Sequence, residues 1–392
     1  MKNIAVVGMS SFDNIGDIML CDSVKYLVKR ADAEVNVFTV DMYPIYHERV
    51  RHNWTYQCLY RIYRNVRKKF PRSMLCYLCG SLALKKLLNI VKFEDQLRKA
   101  DAIIVACGMV KFKTQDLDFI YEIILKISAK YRIPVMLDAV GVEKYDDRYV
   151  RAKYLRKALR SPWLKMITTR EGNHGLNELK NGYQIASHID IRAVGDPAFW
   201  IDECYGIQRK QNTETIGIGI IRPSIFEDYG KNTSSHKLWN IYKELLKKLE
   251  EEHLDWRIFS NGLVSDHVQA EKLLEELSIS KDKLLPRPTN GPELLEQISG
   301  FKVVMGARLH ACICAYALGI PSVGFIWYDK ILHHEESIHN EKNFLKEEEL
   351  TADNLLRVIK NAMKVTQPYD TNDRSAWKNK TLQSICDFLQ TI

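Results

Sequence analysis

The fold of this chain is decided by one stretch of sequence, Val303-Val304-Met305-Gly306-Ala307-Arg308-Leu309-His310-Ala311. A short, unbroken apolar run that ends at a glycine is typical of a buried strand, and the apolar residues that follow predict a helix over 309–318. A strand joined to a helix by so short a turn indicates a parallel sheet. The turn also places Arg308 and His310 at the start of a helix, where main-chain N–H groups and the helix dipole favour an anion.

The same alternation of apolar runs and helical stretches continues on both sides of this segment. The predicted strands are 4–8, 35–40, 102–107, 134–140, 165–169, 189–194, 215–221, 255–259, 301–305 and 322–326. The tail, 351–363 and 375–392, is predicted to be helical, and Ser265 is the predicted N-cap of a helix over 265–277. The polar stretch 208–214 is the best linker.

We therefore predict an α/β protein of two Rossmann-like, doubly wound domains that face each other across a cleft. The first domain covers 1–207 and the second 208–392, with the last helix packing back on the first domain. The length of 392 residues suits two domains of this size.

Composition excludes several classes of protein. With 46% hydrophobic and 27% charged residues, the chain is neither disordered nor a disulfide scaffold. Its nine cysteines are scattered, which is typical of a reducing compartment, and no motif predicts a metal site. The longest uncharged run, 311–328, is interrupted at Gly319-Ile320-Pro321 and does not predict a membrane span. We expect a cytoplasmic protein.

Charge is concentrated in one segment. The net formal charge is +8, yet the segment 49–92 alone carries eleven Lys or Arg and no Asp or Glu, interleaved with aromatic and aliphatic residues. This pattern predicts peripheral contact with an anionic membrane. A nucleic-acid surface and a merely solvated helical face are the alternatives, and we expect no nucleic-acid partner.

Arginines at the ends of predicted strands are the main candidate ligands for an anionic substrate. Arg222 follows the strand 215–221, as Arg308 follows 301–305, and a guanidinium group suits a carboxylate or a phosphate. Arg170 also follows a strand, but a local ion pair with Glu171 explains it equally well. Since the sequence has neither a GxGxxG fingerprint nor a metal motif, arginines must neutralise an anionic substrate.

The motifs together resemble the polysaccharide pyruvyl transferase family, whose two Rossmann-like domains are arranged as in GT-B glycosyltransferases. The resemblance covers most of 1–330 and is carried by Asn14-Ile15-Gly16-Asp17, Thr169-Arg170-Glu171, Gly195-Asp196-Pro197-Ala198-Phe199, Ser260-Asn261-Gly262 with Asp266, and Gly306-Ala307-Arg308-Leu309-His310 through Ala315, Gly319-Ile320-Pro321, Tyr328 and Lys330.

This resemblance implies that phosphoenolpyruvate is the donor and that its enolpyruvyl unit is transferred to two hydroxyls of one sugar, which gives a pyruvate ketal and phosphate. The acceptor would be galactose or a similar sugar in a lipid-linked oligosaccharide of a capsule, exopolysaccharide or cell-wall polymer, and no cofactor is expected. The basic segment 49–92 would then contact the inner face of the membrane that carries this acceptor.

The resemblance also implies roles for individual residues. Arg222 and Arg308 would hold the donor, with Leu309 and Lys330 in the same pocket, and His310 would supply the proton. Asn14 and Asp17 would meet the acceptor on the side of the first domain.

Two other functions remain open. A GT-B glycosyltransferase with a nucleotide-sugar donor would also carry Ala315-x-x-x-Gly319-Ile320-Pro321. A non-enzymatic basic protein that binds lipid or nucleic acid would need no intact Arg308.

Overall fold

The computed structural model describes residues 1–10, 14–42, 54–87, 90–106, 108–113 and 116–392. Arg49 and Arg51 of the basic segment, and Cys107 at the end of a predicted strand, lie outside these described residues.

The first of two parallel sheets is formed before residue 194. Its strands are β1 (Asn3–Gly8), β2 (Asn36–Asp41), β3 (Ala102–Ala106), β4 (Met109–Val110), β5 (Val135–Val142), β6 (Leu164–Thr169) and β7 (Asp190–Ala193). They are ordered β2-β1-β3-β5-β6-β7, and the short β4 pairs with β5. Ile4 of β1 pairs in parallel with Val37 of β2 and Ala102 of β3. The strand order reverses beside β1, as in a doubly wound sheet.

The second sheet repeats this plan with fewer strands. Its strands are β8 (Ile216–Gly219), β9 (Trp256–Phe259), β10 (Val303–Gly306), β11 (Ser322–Phe325) and β12 (Phe344–Leu345). The order is β12-β11-β10-β8-β9, and every pair is parallel. The ten predicted strands are confirmed. The sequence analysis missed β4 and β12 because a two-residue strand leaves no readable apolar run.

Helices connect the strands. The α-helices are α1 (Ile15–Ala31), α2 (Trp54–Lys69), α3 (Met74–Leu87), α4 (Ile90–Leu97), α5 (Leu117–Tyr131), α6 (Val150–Ala158), α7 (Gly172–Asn177), α8 (Ile201–Tyr205), α9 (Ile225–Asp228), α10 (Ser235–Glu251), α11 (Val264–Glu276), α12 (Gly291–Ser299), α13 (Leu309–Leu318), α14 (Asp329–Ser337), α15 (Ala352–Met363) and α16 (Thr371–Gln390). Single π or 3₁₀ turns cover Glu178–Gly182, Pro197–Trp200, Lys281–Lys283, Glu341–Asn343 and Glu347–Glu349.

Local sequence explains several helix ends. Ser234, Asn290 and Thr351 each accept a hydrogen bond from the main-chain N–H three residues on, as N-caps do. Gly319 adopts the left-handed conformation that closes α13, with φ of 67°. The predicted cap at Ser265 is wrong: α11 begins at Val264 after Leu263, and no side chain caps it.

The chain divides into two compact units. The first unit contains Met1–Phe12, Leu20–Pro197 and Asn379–Ile392, and the second contains Asp13–Met19 and Ala198–Lys378. The division at 197/198 differs from the predicted boundary at 207/208 because the residues after 198 are bonded into the second unit. Trp200 donates to the Lys378 carbonyl, and Arg209 donates to the carbonyl of Gly319. Residues 379–392 belong to the first unit, where Thr381 donates to the Gly195 carbonyl.

A buried carboxyl group lies in the second unit. Glu335 of α14 is fully buried, and its Oε2 accepts a 2.7 Å hydrogen bond from Asn340, which also donates to Ser322. Burial raises the pKa of Glu335 to about 8, while the hydrogen bond from Asn340 acts in the opposite direction. The folded protein therefore keeps a proton on Glu335 that the unfolded chain, with its ordinary pKa near 4.3, releases.

The substitution Glu335→Gln is expected to change how stability depends on pH. Because the pKa of Glu335 is raised in the folded state, its contribution to stability falls as pH increases from about 4.3 to about 8 and is constant above that. The amide still accepts the bond from Asn340 but cannot ionise. The Tm difference between variant and parent should therefore grow between about pH 5 and pH 8 in thermal melts. Parallel Tm curves for the two proteins would contradict this assignment.

No helix among the described residues has both the length and the apolar content to cross a bilayer.

Candidate active site

The predicted donor residues lie at one edge of the second sheet. Arg222 follows β8, Arg308 follows β10, and Lys330 follows β11, and these three strands are neighbours in the sheet. The strand order reverses between β8 and β10, so both arginines lie at the topological switch point, where open α/β sheets bind their ligands.

Arg308 is fixed by a buried carboxylate. Its Nε donates a 2.8 Å hydrogen bond to Asp266 Oδ2, and Nη2 lies 2.7 Å from the same oxygen. Asp266 is fully buried, whereas the Arg308 side chain keeps about 15% of its surface exposed. The other oxygen, Oδ1, accepts a 3.1 Å bond from the Arg222 main-chain N–H. Asp266 therefore holds together the two loops that carry the predicted arginines.

Arg222 is more exposed and has a carboxylate partner of its own. Its Nε and Nη2 each lie 3.0 Å from Asp228 Oδ2, and about 35% of the side chain is exposed. Both guanidinium groups act on one phenol: burial raises the pKa of Tyr229, and the charges of Arg222 and Arg308 oppose that rise. The two arginines thus share a neighbour that sequence reasoning did not identify.

Aromatic rings connect Lys330 to this group. The Tyr229 ring lies 5.0 Å from Trp327 and 4.9 Å from Tyr328, measured between centroids. Trp327 Nε1 donates a 2.8 Å bond to the Ala307 carbonyl, directly before Arg308. The Lys330 ammonium lies 5.4 Å from the centre of the Tyr328 ring. Arg222, Arg308 and Lys330 are therefore linked through one aromatic cluster.

His310 packs against the motif that begins at Asn14. It lies in the first turn of α13 and is largely buried, and a Cβ placed on Gly16 would lie 2.2 Å from its Nδ1. Only glycine leaves room for the imidazole there. Asn14 Nδ2 donates to Asp17 Oδ2 at 2.9 Å, and the Ile15 N–H donates to the Asn261 carbonyl. Asn14, Asp17 and His310 all belong to the second unit, whereas the sequence analysis placed Asn14 and Asp17 in the first domain.

Leu309 is buried in the core. Leu309 is the first residue of α13, where main-chain N–H groups have no acceptor within the helix, so its N–H is the group that a ligand at the helix start would meet.

Arg170 belongs to a pair in the first unit. Arg170 Nη1 lies 2.5 Å from Asp196 Oδ2, and both side chains are nearly buried. The interpretation of Arg170 as part of an ion pair is therefore correct, but its partner is Asp196, whereas the adjacent Glu171 accepts a 3.0 Å bond from the Val142 N–H. The segments around 170 and 196, which are far apart in sequence, are therefore joined by an ion pair.

Two residues of the candidate site had weak sequence signals. Asp266 belongs to the motifs that carry the family resemblance, but nothing in the sequence indicated that it pairs with Arg308. Tyr229 follows no strand or motif, and its place beside both arginines depends on the fold of the 220–230 loop.

Comparisons with known proteins agree with this architecture. The UDP-GlcNAc 2-epimerase from Methanocaldococcus jannaschii is similar in structure, with a TM-score of 0.59 at 11% identity and 100% of each chain covered. The UDP-N-acetylglucosamine 2-epimerase from Rickettsia bellii gives 0.54 at 11% identity, covering 100% of this chain and 96% of that one. The trehalose 6-phosphate synthase from Burkholderia multivorans gives 0.52 at 8% identity, with coverage of 100% and 95%. A search of curated proteins gives no significant match.

The fold thus defines a mixed α/β protein with two Rossmann-like units, similar to GT-B-like epimerases and glycosyltransferases. The family profile of the polysaccharide pyruvyl transferases matches residues 14–330, which is most of the chain. The chain belongs to the polysaccharide pyruvyl transferase family and is a transferase of that class.

Proposed function

We propose that the protein transfers the enolpyruvyl group of phosphoenolpyruvate to two hydroxyls of one sugar, forming a pyruvate ketal and releasing phosphate. The observation that carries this proposal is the placement of Arg308 and Arg222 at the switch point of the second sheet, joined through Asp266. Phosphoenolpyruvate carries its carboxylate and its phosphate ester on the same carbon, C2, and two guanidinium groups suit that pair of anions.

The surroundings of Arg308 support a donor site for a small dianion. The Leu309 N–H and the start of α13 add main-chain donors, and Lys330 adds a further positive charge. Asp266 occupies one edge of the Arg308 guanidinium and fixes its plane, and among the described residues no other carboxylate forms an ion pair with Arg308. A guanidinium group whose plane is fixed and whose remaining N–H groups are available is suited to binding a planar carboxylate.

His310 is the residue to which we assign the proton transfer. A proton from its imidazole would go to the methylene carbon of the donor, which leaves an oxocarbenium-like C2 that the first sugar hydroxyl attacks. The proton that this hydroxyl loses passes to solvent, and solvent returns one proton to His310, so the imidazole is restored for the next turnover. Departure of phosphate regenerates such a cation, the second hydroxyl attacks, and its proton leaves with the phosphate. The net products are one ketal and one phosphate. The contact with Gly16 fixes the ring for this step.

Asn14 and Asp17 are assigned to the acceptor. The Asp17 carboxylate, oriented by the bond from Asn14, would accept the proton of an attacking hydroxyl. The family name specifies a polysaccharide product, and we propose a lipid-linked saccharide of a capsule or exopolysaccharide as the acceptor, with galactose as the first sugar to test.

The test is a donor screen with the full chain and a lipid-linked galactoside. Phosphate release from phosphoenolpyruvate, together with a product whose mass corresponds to a pyruvate ketal, supports the proposal. Release of a nucleoside diphosphate from a nucleotide-sugar would instead identify a glycosyltransferase, and turnover of neither donor with any galactoside would contradict the acceptor assignment.

The substitution His310→Gln is expected to lower kcat by about 10²-fold or more, because positioned proton transfer typically contributes that much. KM for phosphoenolpyruvate should change little, since Arg222 and Arg308 remain. Steady-state phosphate release measures both constants, and His236→Gln, on an exposed residue of α10, is the matched control. A variant with unchanged kcat and raised KM would place His310 in binding only.

A further inference from the structure

Exposed apolar side chains are concentrated on two helices of the first unit. Of the eleven large hydrophobic residues that are exposed among the described residues, seven lie between 54 and 82. They are Trp54, Ile62, Phe70, Met74, Leu75, Leu78 and Leu82. Exposed hydrophobic residues on a soluble protein are normally single and scattered. Seven of them within 29 residues therefore indicate a contact surface.

The exposed residues of α3 form a stripe. Leu75, Leu78 and Leu82 are spaced i, i+3 and i+7, so they lie on one face of the helix, and each is more than half exposed. Lys86 follows on the same face. The opposite face carries Cys76, Tyr77, Gly80, Ala83 and Leu84, which are buried. The helix therefore has two apolar faces, of which only one is covered by protein among the described residues.

The covered faces hold both helices firmly in place. Tyr63 of α2 donates to Asp116 at 2.5 Å and accepts from Arg151 at 2.8 Å. Tyr77 of α3 donates to Glu122 at 2.8 Å. A Cβ on Gly80 would lie within 2.6 Å of the Phe119 ring, so α3 packs closely on α5. The exposed face thus belongs to a well-packed pair of helices.

Five exposed cations of the same segment form no ion pair within the part of the chain that the structure describes. Among the described residues, no ion pair joins Arg61, Arg64, Lys68, Lys69 or Lys86 to a carboxylate. Arg67, by contrast, is half-buried and paired with Asp116, so it belongs to the packing and not to the surface. On α2, Arg61, Arg64 and Lys68 are spaced i, i+3 and i+7, which gives a cationic face, and Trp54 lies two turns earlier on the same face.

Positive charge continues beyond the turn between these helices. Arg72 stacks on Tyr149, and its carbonyl accepts the Val150 N–H. The loop at Tyr149 borders a concavity of about 760 Å³ whose charged lining is Lys113, Lys144, Asp146, Asp147, Arg148, Lys153 and Arg156. Five basic against two acidic side chains keep this neighbouring surface positive.

We propose that the outer face of α2 and α3 is a docking surface for an anionic lipid bilayer. The leucine stripe would enter the boundary between headgroups and acyl chains, and the unpaired Arg and Lys side chains would contact lipid phosphates. A second copy of this chain fits less well, because two such faces would oppose like charges. Nucleic acid would satisfy the cations but would leave the leucine stripe without an apolar partner. The surface is independent of the donor assignment.

The test is cosedimentation of the full chain with phosphatidylcholine vesicles and with vesicles that also contain phosphatidylglycerol. Two variants test the apolar and the cationic part of the surface separately. The first removes the apolar stripe and is Leu75→Ser/Leu78→Ser/Leu82→Ser. The second removes four cations and is Arg61→Ser/Arg64→Ser/Lys68→Ser/Lys69→Ser. Their matched controls lie in the second unit: Val264→Ser/Val365→Ser for exposed apolar residues, and Lys237→Ser/Lys247→Ser/Lys272→Ser/Lys281→Ser for four exposed lysines.

The parent protein is expected to bind the anionic vesicles, with binding that weakens as salt is added. Each surface variant should lower the partition coefficient by at least about tenfold, while the control variants bind as the parent does. All substituted side chains are exposed, and thermal melts will verify that each variant is folded. Failure of the parent to bind, binding that the leucine substitutions do not weaken, or equal losses in the control variants would overturn the proposal. A concentration-dependent dimer that the same substitutions abolish, without vesicle binding, would assign the face to a second copy instead.

Discussion

Replacing Arg308 with Ala is expected to reduce phosphate release from phosphoenolpyruvate by at least about 10³-fold in kcat/KM. Two effects act in the same direction. The donor loses the planar cation that would bind its carboxylate or phosphate. In addition, the fully buried Asp266 would lose the guanidinium that binds its Oδ2, which would loosen the joint that Asp266 forms between the Arg308 loop and the Arg222 loop. The loss should therefore exceed that of one hydrogen bond.

The substitution Arg308→Lys tests whether the donor site needs only the positive charge of Arg308 or also the planar shape of its guanidinium group. An ammonium group keeps the positive charge but cannot bond Asp266 and a planar anion with one rigid fork, so an intermediate activity is expected. Arg357→Ala, which removes an exposed arginine of α15, is the control and should leave kcat/KM unchanged. If Arg308→Ala keeps more than about a tenth of the parent kcat/KM, Arg308 does not bind the donor.

The positions of the strands could be predicted from sequence because each buried strand is a local property of its own residues. Runs such as 102–107 and 303–306 are apolar, unbroken and followed by turn residues, and these features predict parallel strands without knowledge of the partners. The same reasoning placed Arg222 and Arg308 at strand ends, which the structure brings to neighbouring positions of the second sheet.

Pairings between distant residues could not be predicted in this way. The partner of Arg308 is 42 positions away at Asp266, and the partner of Arg170 is 26 positions away at Asp196. Many carboxylates lie at comparable separations, and only the folded chain selects one of them. For the same reason the sequence could not distinguish the buried from the exposed cations of the basic segment 49–92. Arg67 is paired with Asp116 inside the protein, whereas Arg64 is exposed.

Arg151→Met is expected to destabilise the protein by about 3–5 kcal/mol, the usual cost of leaving buried charges without their counter-ion. Arg151 is almost fully buried; it donates two hydrogen bonds to Asp118, at 2.8 and 2.5 Å, and one to Asp116 at 3.1 Å. A fourth bond reaches Tyr63 of α2. At about 2–4 °C per kcal/mol for a unit of roughly 200 residues, the Tm of the first unit should fall by about 6–20 °C.

The pH dependence of that loss tests its electrostatic origin. Burial already raises the pKa of Asp118 to about 7, and Arg151 opposes the rise. Without Arg151 the pKa of Asp118 should rise further, so a larger fraction is protonated in the folded state and the destabilisation should be smaller at about pH 5 than at about pH 8. Arg151→Met/Asp118→Asn removes both charges and should be less destabilised than Arg151→Met alone near pH 8.

Arg148→Met is the matched control. It makes the same substitution three residues earlier, where the side chain is 63% exposed and pairs with Asp146, and an exposed pair of this kind contributes little to stability. The measurement is the Tm of the parent, Arg148→Met, Arg151→Met and Arg151→Met/Asp118→Asn in thermal melts at about pH 5 and about pH 8. Equal Tm losses for Arg148→Met and Arg151→Met would show that the buried pairs do not stabilise the first unit. A loss confined to Arg151→Met would show that the charges beneath α2 hold that helix, and the cationic face it presents, in place.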